Sequence, residues 1–176
     1  MPQPFAAYEP LAHGRAAEAV IREAHDADLP GCAILAQNRN GGDLGAGERA
    51  LQADLRAGDR LLLVAVTAGR PVGYASAGRQ SYVRTGGRNV PDGWFLTGLF
   101  VDPLHRRGGI GRRLTQQRLQ WLDARTNKVW YFVSALNRPS IELHHKLGFH
   151  EVTRDFVIPG LTFSGGVGIL GVRGDV

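Results

Sequence analysis

The stretch Leu99-Phe100-Val101-Asp102-Pro103-Leu104-His105-Arg106-Arg107-Gly108-Gly109-Ile110-Gly111 gathers the residue types that hold an anion. An apolar run ends at Val101, a short loop follows, and a helical pattern starts among glycines. The first amides of a helix have no internal partners, and the helix dipole is positive at that end. A turn of this kind cradles phosphate groups. Glycine lets the backbone approach the anion with no Cβ in the way. Arg106, Arg107 and Arg112 add charge and forked donors. The spacing is not that of the Walker loop, since no Lys-Ser/Thr follows, nor is it the Rossmann glycine pattern. The plain alternative is a glycine-rich turn flanked by solvated arginines.

The elements that must position this segment are read from periodicity and punctuation. Arg15 to Ala27 reads as a helix, with Ala17, Val20, Ile21 and Ala24 at helical spacing, ended by Pro30-Gly31. Asn38 to Gly47 reads as a polar loop, and Glu48 to Ala57 as a second helix. Arg60 to Thr67 and Pro71 to Tyr82, joined at Ala68-Gly69-Arg70, read as a β-hairpin. After a loop at Gly86 to Gly93, Trp94 to Val101 reads as a third strand. The helical period returns from Gly109 to Thr126. Ile110, Leu114, Leu119, Trp121 and Leu122 share one broad face, with Arg112, Arg113 and Arg118 largely off it. Val129 to Ala135 is a dense apolar strand. Pro139 to Leu147 is a helix with Pro in its first turn and Gly148 at its C-terminal cap. His150 to Ile158 and Phe163 to Val172 read as two final strands, although glycine weakens the second. The order predicts one α/β or α+β domain spanning 1–176, built on a mixed sheet.

Composition bounds the function classes. A chain of 176 residues has the length of one domain. With 43% hydrophobic and 21% charged residues, it is neither a disordered tail, nor a collagen, nor a coiled coil. No run approaches the roughly 18 apolar residues of a membrane span. Met1 to Gly14 lacks the charged start and apolar stretch of a secretory signal. Cys32 is the only cysteine, so no intrachain disulfide forms, and the cytoplasm is the default compartment. The net charge is +5, and Lys128 and Lys146 are the only lysines among 21 basic residues. That balance suits an anionic ligand as well as nucleic acid. The arginines from Arg106 to Arg118 are broken by a glycine loop, and no nucleic-acid motif accompanies them.

The spacing Arg106-x-x-Gly109-x-Gly111, after a strand ending Leu-Phe-Val-Asp-Pro, resembles the acyl-CoA-binding motif of the GNAT superfamily of N-acyltransferases. A second element, Asn137-x-x-Ser140-x-x-Leu143-His144-x-Lys146-x-Gly148-Phe149, resembles the family's downstream motif. Both fall in the expected order between Arg60 and Phe149. The resemblance implies a GNAT fold: a mixed central sheet of six to seven strands with splayed central strands, flanked by about four helices. It implies acetyl-CoA, or another acyl-CoA, as co-substrate, with no metal. Backbone groups of Leu99, Phe100 and Val101 would pair with the pantetheine arm as an added strand. Amides from Arg107 through Gly108, Gly109, Ile110 and Gly111 to Arg112 would hold the pyrophosphate. Asn137, Ser140 and Lys146 would lie near the arm and the nucleotide end. A deprotonated amine of a small molecule would attack the thioester directly, and a backbone amide near Val101 would stabilise the oxyanion. The partners implied are that amine, no nucleic acid and no membrane, for a monomer or homodimer. A second reading is a non-catalytic acyl-CoA-binding domain acting as sensor or scaffold.

The chain departs from the family pattern at His144, where many members carry the Tyr that protonates the departing sulfur. Imidazole, with a reference pKa of roughly 6.5, can also donate a proton. Alternatively His144 packs beside CoA or hydrogen-bonds Asn137. His145 points about 100° away on the helix. No Glu or Asp lies between Trp94 and Val101 to act as general base. Asp102 reads as a turn cap. Tyr74, Tyr82, Asp92 and Thr97 are weaker candidates for handling a water. The loops Asn38 to Gly47, Gln80 to Asp92 and Pro159 to Gly166 would select the acceptor, with Asp43 and Glu48 able to attract an ammonium group.

Overall fold

The computed structural model describes residues 3–4, 18–84, 86 and 88–174. A short parallel pair joins β1 (Gln3–Pro4) to β8 (Leu161–Thr162). The remaining strands are β2 (Val20–Glu23), β3 (Arg60–Thr67), β4 (Arg70–Gln80), β5 (Gly93–Val101), β6 (Val129–Ser134), β7 (His150–Thr153) and β9 (Gly168–Arg173). They form a seven-stranded sheet in the order β2-β3-β4-β5-β6-β9-β7. The β5–β6 pair is parallel, while β2–β3, β3–β4, β6–β9 and β7–β9 are antiparallel, so the sheet is mixed. Four helices accompany it among the described residues: α1 (Leu29–Asn40), α2 (Leu44–Arg56), α3 (Ile110–Asp123) and α4 (Arg138–Lys146).

The chain divides into two compact units. A three-helix unit comprises residues 18–78 and Leu96–Ala124, and a one-helix unit comprises Gln3–Pro4, Arg79–Phe95 and residues 125–174. In the three-helix unit β3 is apolar on both faces. Leu62 and Val64 pack with Leu29, Cys32, Leu35 and Leu51 of α1 and α2, while Leu61, Leu63 and Ala65 pack with Ile110 and Leu114 of α3. A strand covered on both sides reads as a continuous hydrophobic run, which is why its sequence limits coincide with its structural ones. The one-helix unit is centred on Val90, Phe95, Trp130, Phe156, Ile158, Leu170 and Val172.

Four expectations are corrected. The segment expected as a helix at Arg15 to Ala27 contains β2 instead, with Val20 opposite Val66 and Glu23 opposite Leu63; residues 15–17 lie outside the described residues, as does the Met1 to Gly14 segment apart from Gln3 and Pro4. The backbone groups of β3 offer pairing that outweighs a short helical period carried by β-branched Val20 and Ile21. Pro30-Gly31 opens α1 rather than closing a helix. Proline in the first turn lacks only an amide that has no partner there, and a Cβ on Gly31 would lie 2.8 Å from Pro71 Cγ. The loop expected at Asn38 to Gly47 shrinks to residues 41–43, because α2 already starts at Leu44, where Asp43 Oδ1 accepts from the Ala46 amide at 2.7 Å. The final strands are also shorter: β7 stops at Thr153, and a 3-10 turn at Ser164–Gly166 precedes β9.

Candidate functional site

In the three-helix unit the loop after β5 is built by local capping. Asp102 Oδ1 accepts from the Leu104 amide at 3.0 Å, which folds Pro103–His105 into a 3-10 turn. The same carboxylate lies 3.5 Å from His105 Nδ1. Asp102 is therefore the turn cap its position suggested, and that work argues against a role as base. Arg107 (φ +67°) and Gly109 (φ +77°) both take left-handed conformations that swing the chain into α3. The Arg113 amide bonds Gly109 O at 3.0 Å, so the amides of Ile110, Gly111 and Arg112 precede the first intrahelical bond, and no side chain caps them. A Cβ on Gly109 would meet nothing within 4 Å, which leaves open space over that helix end. Arg107 and Arg112 are exposed. Arg106 folds back instead: its Nε donates to Val101 O at 3.0 Å, and its guanidinium lies 5.8 Å from the centre of the Phe100 ring. It braces the end of β5, beside half-buried Leu99 and Val101.

One part of this unit escaped sequence reasoning. Arg118 is 1% exposed, not on the solvent face of α3. Its Nη1 donates to Ser76 O at 3.0 Å and Thr97 O at 2.9 Å, and its Nη2 to Thr115 Oγ1 at 2.9 Å. Burial pulls the guanidinium down to about 9, which still leaves it protonated at neutral pH. The Thr115 hydroxyl donates in turn to Gly111 O at 2.8 Å. Above this group the Ser76 and Thr97 hydroxyls lie 3.0 Å apart. The signal was present: Leu114, Arg118 and Leu122 recur every four residues, on one stripe of the helix.

In the one-helix unit Asn137 caps α4, its Oδ1 accepting from the Ser140 amide at 3.3 Å. His144 is buried, with Nδ1 2.7 Å from Ser140 O and 3.4 Å from Ser140 Oγ. A carbonyl only accepts, so Nδ1 carries a proton, and any second proton on the ring would sit on Nε2. The ring stacks on Tyr131 at 4.2 Å and 7°, and meets the edge of Phe149 at 5.3 Å. Burial, and then the Glu151 carboxylate, push the Tyr131 phenol up to about 12. His145 and Lys146 are exposed. His144 thus bonds Ser140 of its own helix.

The other candidates are placed mostly in supporting roles. Tyr74 is buried and tilted against Phe100, and Tyr82 packs edge-on to Phe95 at 5.5 Å. Asp92 accepts from Ser81 Oγ at 3.0 Å and faces Arg84 at 3.6 Å. Those contacts, the Ser81 bond foremost, hold its carboxyl below the usual range and weaken it as a base. Asp43 is spent on capping α2, with Arg49 at 3.8 Å, and Glu48 is half-buried on that helix. Among the described residues no helix is long and apolar enough to cross a membrane.

Residues 20–149 match the model of the acetyltransferase (GNAT) family. Solved structures share the fold. A ribosomal-protein-alanine N-acetyltransferase from Brucella melitensis is 25% identical, with a TM-score of 0.68 over 89% of this chain and 99% of that one. An aminoglycoside antibiotic 6'-N-acetyltransferase from Acinetobacter baumannii is 25% identical, with a TM-score of 0.63 over 80% of this chain and 96% of that one. The aminoglycoside N-acetyltransferase AAC(6')-Iy, in complex with CoA, is 23% identical, with a TM-score of 0.67 over 81% of this chain and 95% of that one. No curated protein matches.

Proposed function

The chain belongs to the acetyltransferase (GNAT) family, and on that premise we propose that it transfers acetyl from acetyl-CoA to a primary amine of a small molecule, by direct attack in a ternary complex. The observation that carries this reading is the loop after β5. Left-handed Gly109 stands in open space before three helix amides with no internal acceptor. Those amides, with Arg107 and Gly108, suit a pyrophosphate, and exposed Arg107 and Arg112 add the charge a phosphate needs. Leu99, Phe100 and Val101 offer a backbone edge to the pantetheine arm. Arg106 serves by holding the strand end at Val101. Lys146, exposed at the end of α4, is our candidate for a nucleotide phosphate.

The reaction forms a C–N bond and breaks the C–S bond, so the departing thiolate needs a proton. His144 is our candidate donor. With Nδ1 bonded to Ser140 O, a second proton can sit only on Nε2, which fixes the atom that would deliver it. Asn137 and Ser140 then act on the ring's orientation, Asn137 through the helix cap and Ser140 through its carbonyl. No carboxylate stands on β5, and the acceptor amine enters as the free base.

The solved relatives include enzymes named for aminoglycosides and for a ribosomal protein alanine. A screen of CoA thiol release from acetyl-CoA should therefore include amino sugars, polyamines, amino acids and an N-terminal peptide. Turnover confined to small amines is expected. Turnover of the peptide alone would replace the acceptor class. Tight acetyl-CoA binding without any turnover would move the chain to a sensor or scaffold role.

A further inference from the structure

Gly98 sits in the interior of β5 with φ +50°, and it is exposed while Leu96 and Phe100, two residues to either side, are buried. A Cβ there would lie 2.8 Å from Ser76 Oγ, so the position accepts only glycine without a shift. Beneath it lies Arg118, whose Nη1 holds the carbonyls of Thr97 and Ser76 on two strands at once. No cis peptide occurs among the described residues. In a trans peptide the C=O and the following N–H point in opposite directions. Drawing the Thr97 carbonyl towards α3 therefore turns the Gly98 N–H away from that helix. Burying a guanidinium is costly, and among the described residues its hydrogen-bond partners are three uncharged acceptors and no carboxylate, so those acceptors hold it in place. Through Thr115 the same network reaches Gly111 O, in the first turn of α3.

We infer that Arg118 is a positioning residue for acyl transfer: it fixes the Thr97–Gly98 peptide so that the Gly98 N–H donates to the thioester oxygen as negative charge develops there. The inference rests on the acyl-transfer reading. The buried cation contributes twice. It orients the donor, and its charge favours an anion over the neutral carbonyl at that point of β5. Nη1 alone serves both carbonyls, so one ammonium nitrogen can replace it, whereas a thioether cannot.

The experiment uses the ¹⁵N-labelled full chain with CoA and acetyl-CoA as probes. It reads the Gly98 amide resonance, the dissociation constants, and CoA thiol release by slow hydrolysis with water as acceptor. In the unaltered protein the Gly98 amide is expected to shift downfield with acetyl-CoA relative to CoA. Arg118→Met should abolish that difference and slow thiol release about 10²-fold, the scale of a misplaced catalytic group, while CoA affinity stays unchanged. Arg118→Lys should recover both. If Arg118→Met does not fold, Arg118→Gln, whose amide can hold one carbonyl, should show the same split in weaker form. A folded Met or Gln variant with the full Gly98 response and full hydrolysis rate overturns the inference. So does a wild-type Gly98 amide indifferent to the acetyl group when acetyl-CoA binds. Absence of acetyl-CoA binding to the wild-type chain overturns the acyl-transfer reading itself, and the inference with it.

Discussion

The loop from Arg106 to Gly111 and the helix segment from Asn137 to Phe149 both resemble family motifs, yet they are built on opposite principles. The loop presents backbone. Gly109 needs its left-handed conformation and nothing lies within 4 Å of where its Cβ would be, so this helix end is made of amides and empty space. The α4 segment presents a side chain enclosed by others: His144 lies flat on Tyr131, edge-on to Phe149 and bonded to its own helix. A backbone site tolerates almost any side chain except at its turn residues. An enclosed side-chain site depends on every neighbour. Substitutions should therefore act sharply but at few positions in the loop, and broadly in the ring cluster.

The largest effect is expected at Gly109, the left-handed glycine of the loop. Gly109→Asp puts a carboxylate into the open space before the helix amides, and should remove acetyl-CoA binding beyond calorimetric detection while the chain stays folded. Charge-assisted contacts are worth roughly 1.5–3 kcal/mol each, and several would be lost together. Unchanged affinity in a folded variant would break the contrast at its first member.

The next largest is His144→Phe, which keeps a ring between Tyr131 and Phe149 but removes both nitrogens. If the imidazole gives up a proton, kcat should fall by about 10²-fold or more with acetyl-CoA affinity held. His144→Tyr, differing from the Phe variant by one hydroxyl, should recover much of the rate. Equal rates in the two variants would leave the ring as packing only.

A third measurement separates enclosure from chemistry by way of Tyr131. Its phenol is held protonated up to about 12 in the folded chain, against roughly 10 when unfolded. The folded state therefore keeps a proton that the unfolded state has lost. Stability tied to this group is fully present below pH 10 and declines as pH rises towards 12, on the order of 2 kcal/mol at the top of that window. Tyr131→Phe should flatten this alkaline decline in denaturation experiments. An unchanged slope would show that the ring cluster is more open to solvent than its packing indicates.

The smallest effect is expected at Gly111. It lies inside the helix, and a Cβ there would meet Val101 Cγ2 at an ordinary 3.9 Å. Gly111→Ala should leave acetyl-CoA binding intact and raise stability by about 0.5–1 kcal/mol in thermal unfolding. A binding loss as large as that at Gly109 would mean that both glycines are there for ligand clearance.

The same contrast explains what the sequence disclosed. Both motif segments, β3 and α3 were legible because each is specified locally: a doubly covered strand is a continuous apolar run, and a helix start among glycines is a short pattern. β2 was not, because Val20 to Glu23 owes its form to pairing with β3, forty residues away in the chain. Arg118 was misplaced because charge argues for solvent unless acceptors are known to wait inside. Those acceptors are backbone carbonyls of Ser76 and Thr97, which no residue type announces. The enclosure of His144 was hidden for the same reason. Tyr131 and Phe149 fix it, and spacing alone does not show which rings face each other.

Cys32 turns the chain into its own unfolding gauge. It is the only cysteine, it is 0% exposed within the α1–α2 packing, and burial pushes its thiol up to about 12. The thiolate that reacts with electrophiles is scarce there and shielded until the three-helix unit opens. A thiol-specific dye can thus count released CoA with no background from the folded protein. Without CoA, the rate at which the same dye labels the chain measures how often that core comes apart.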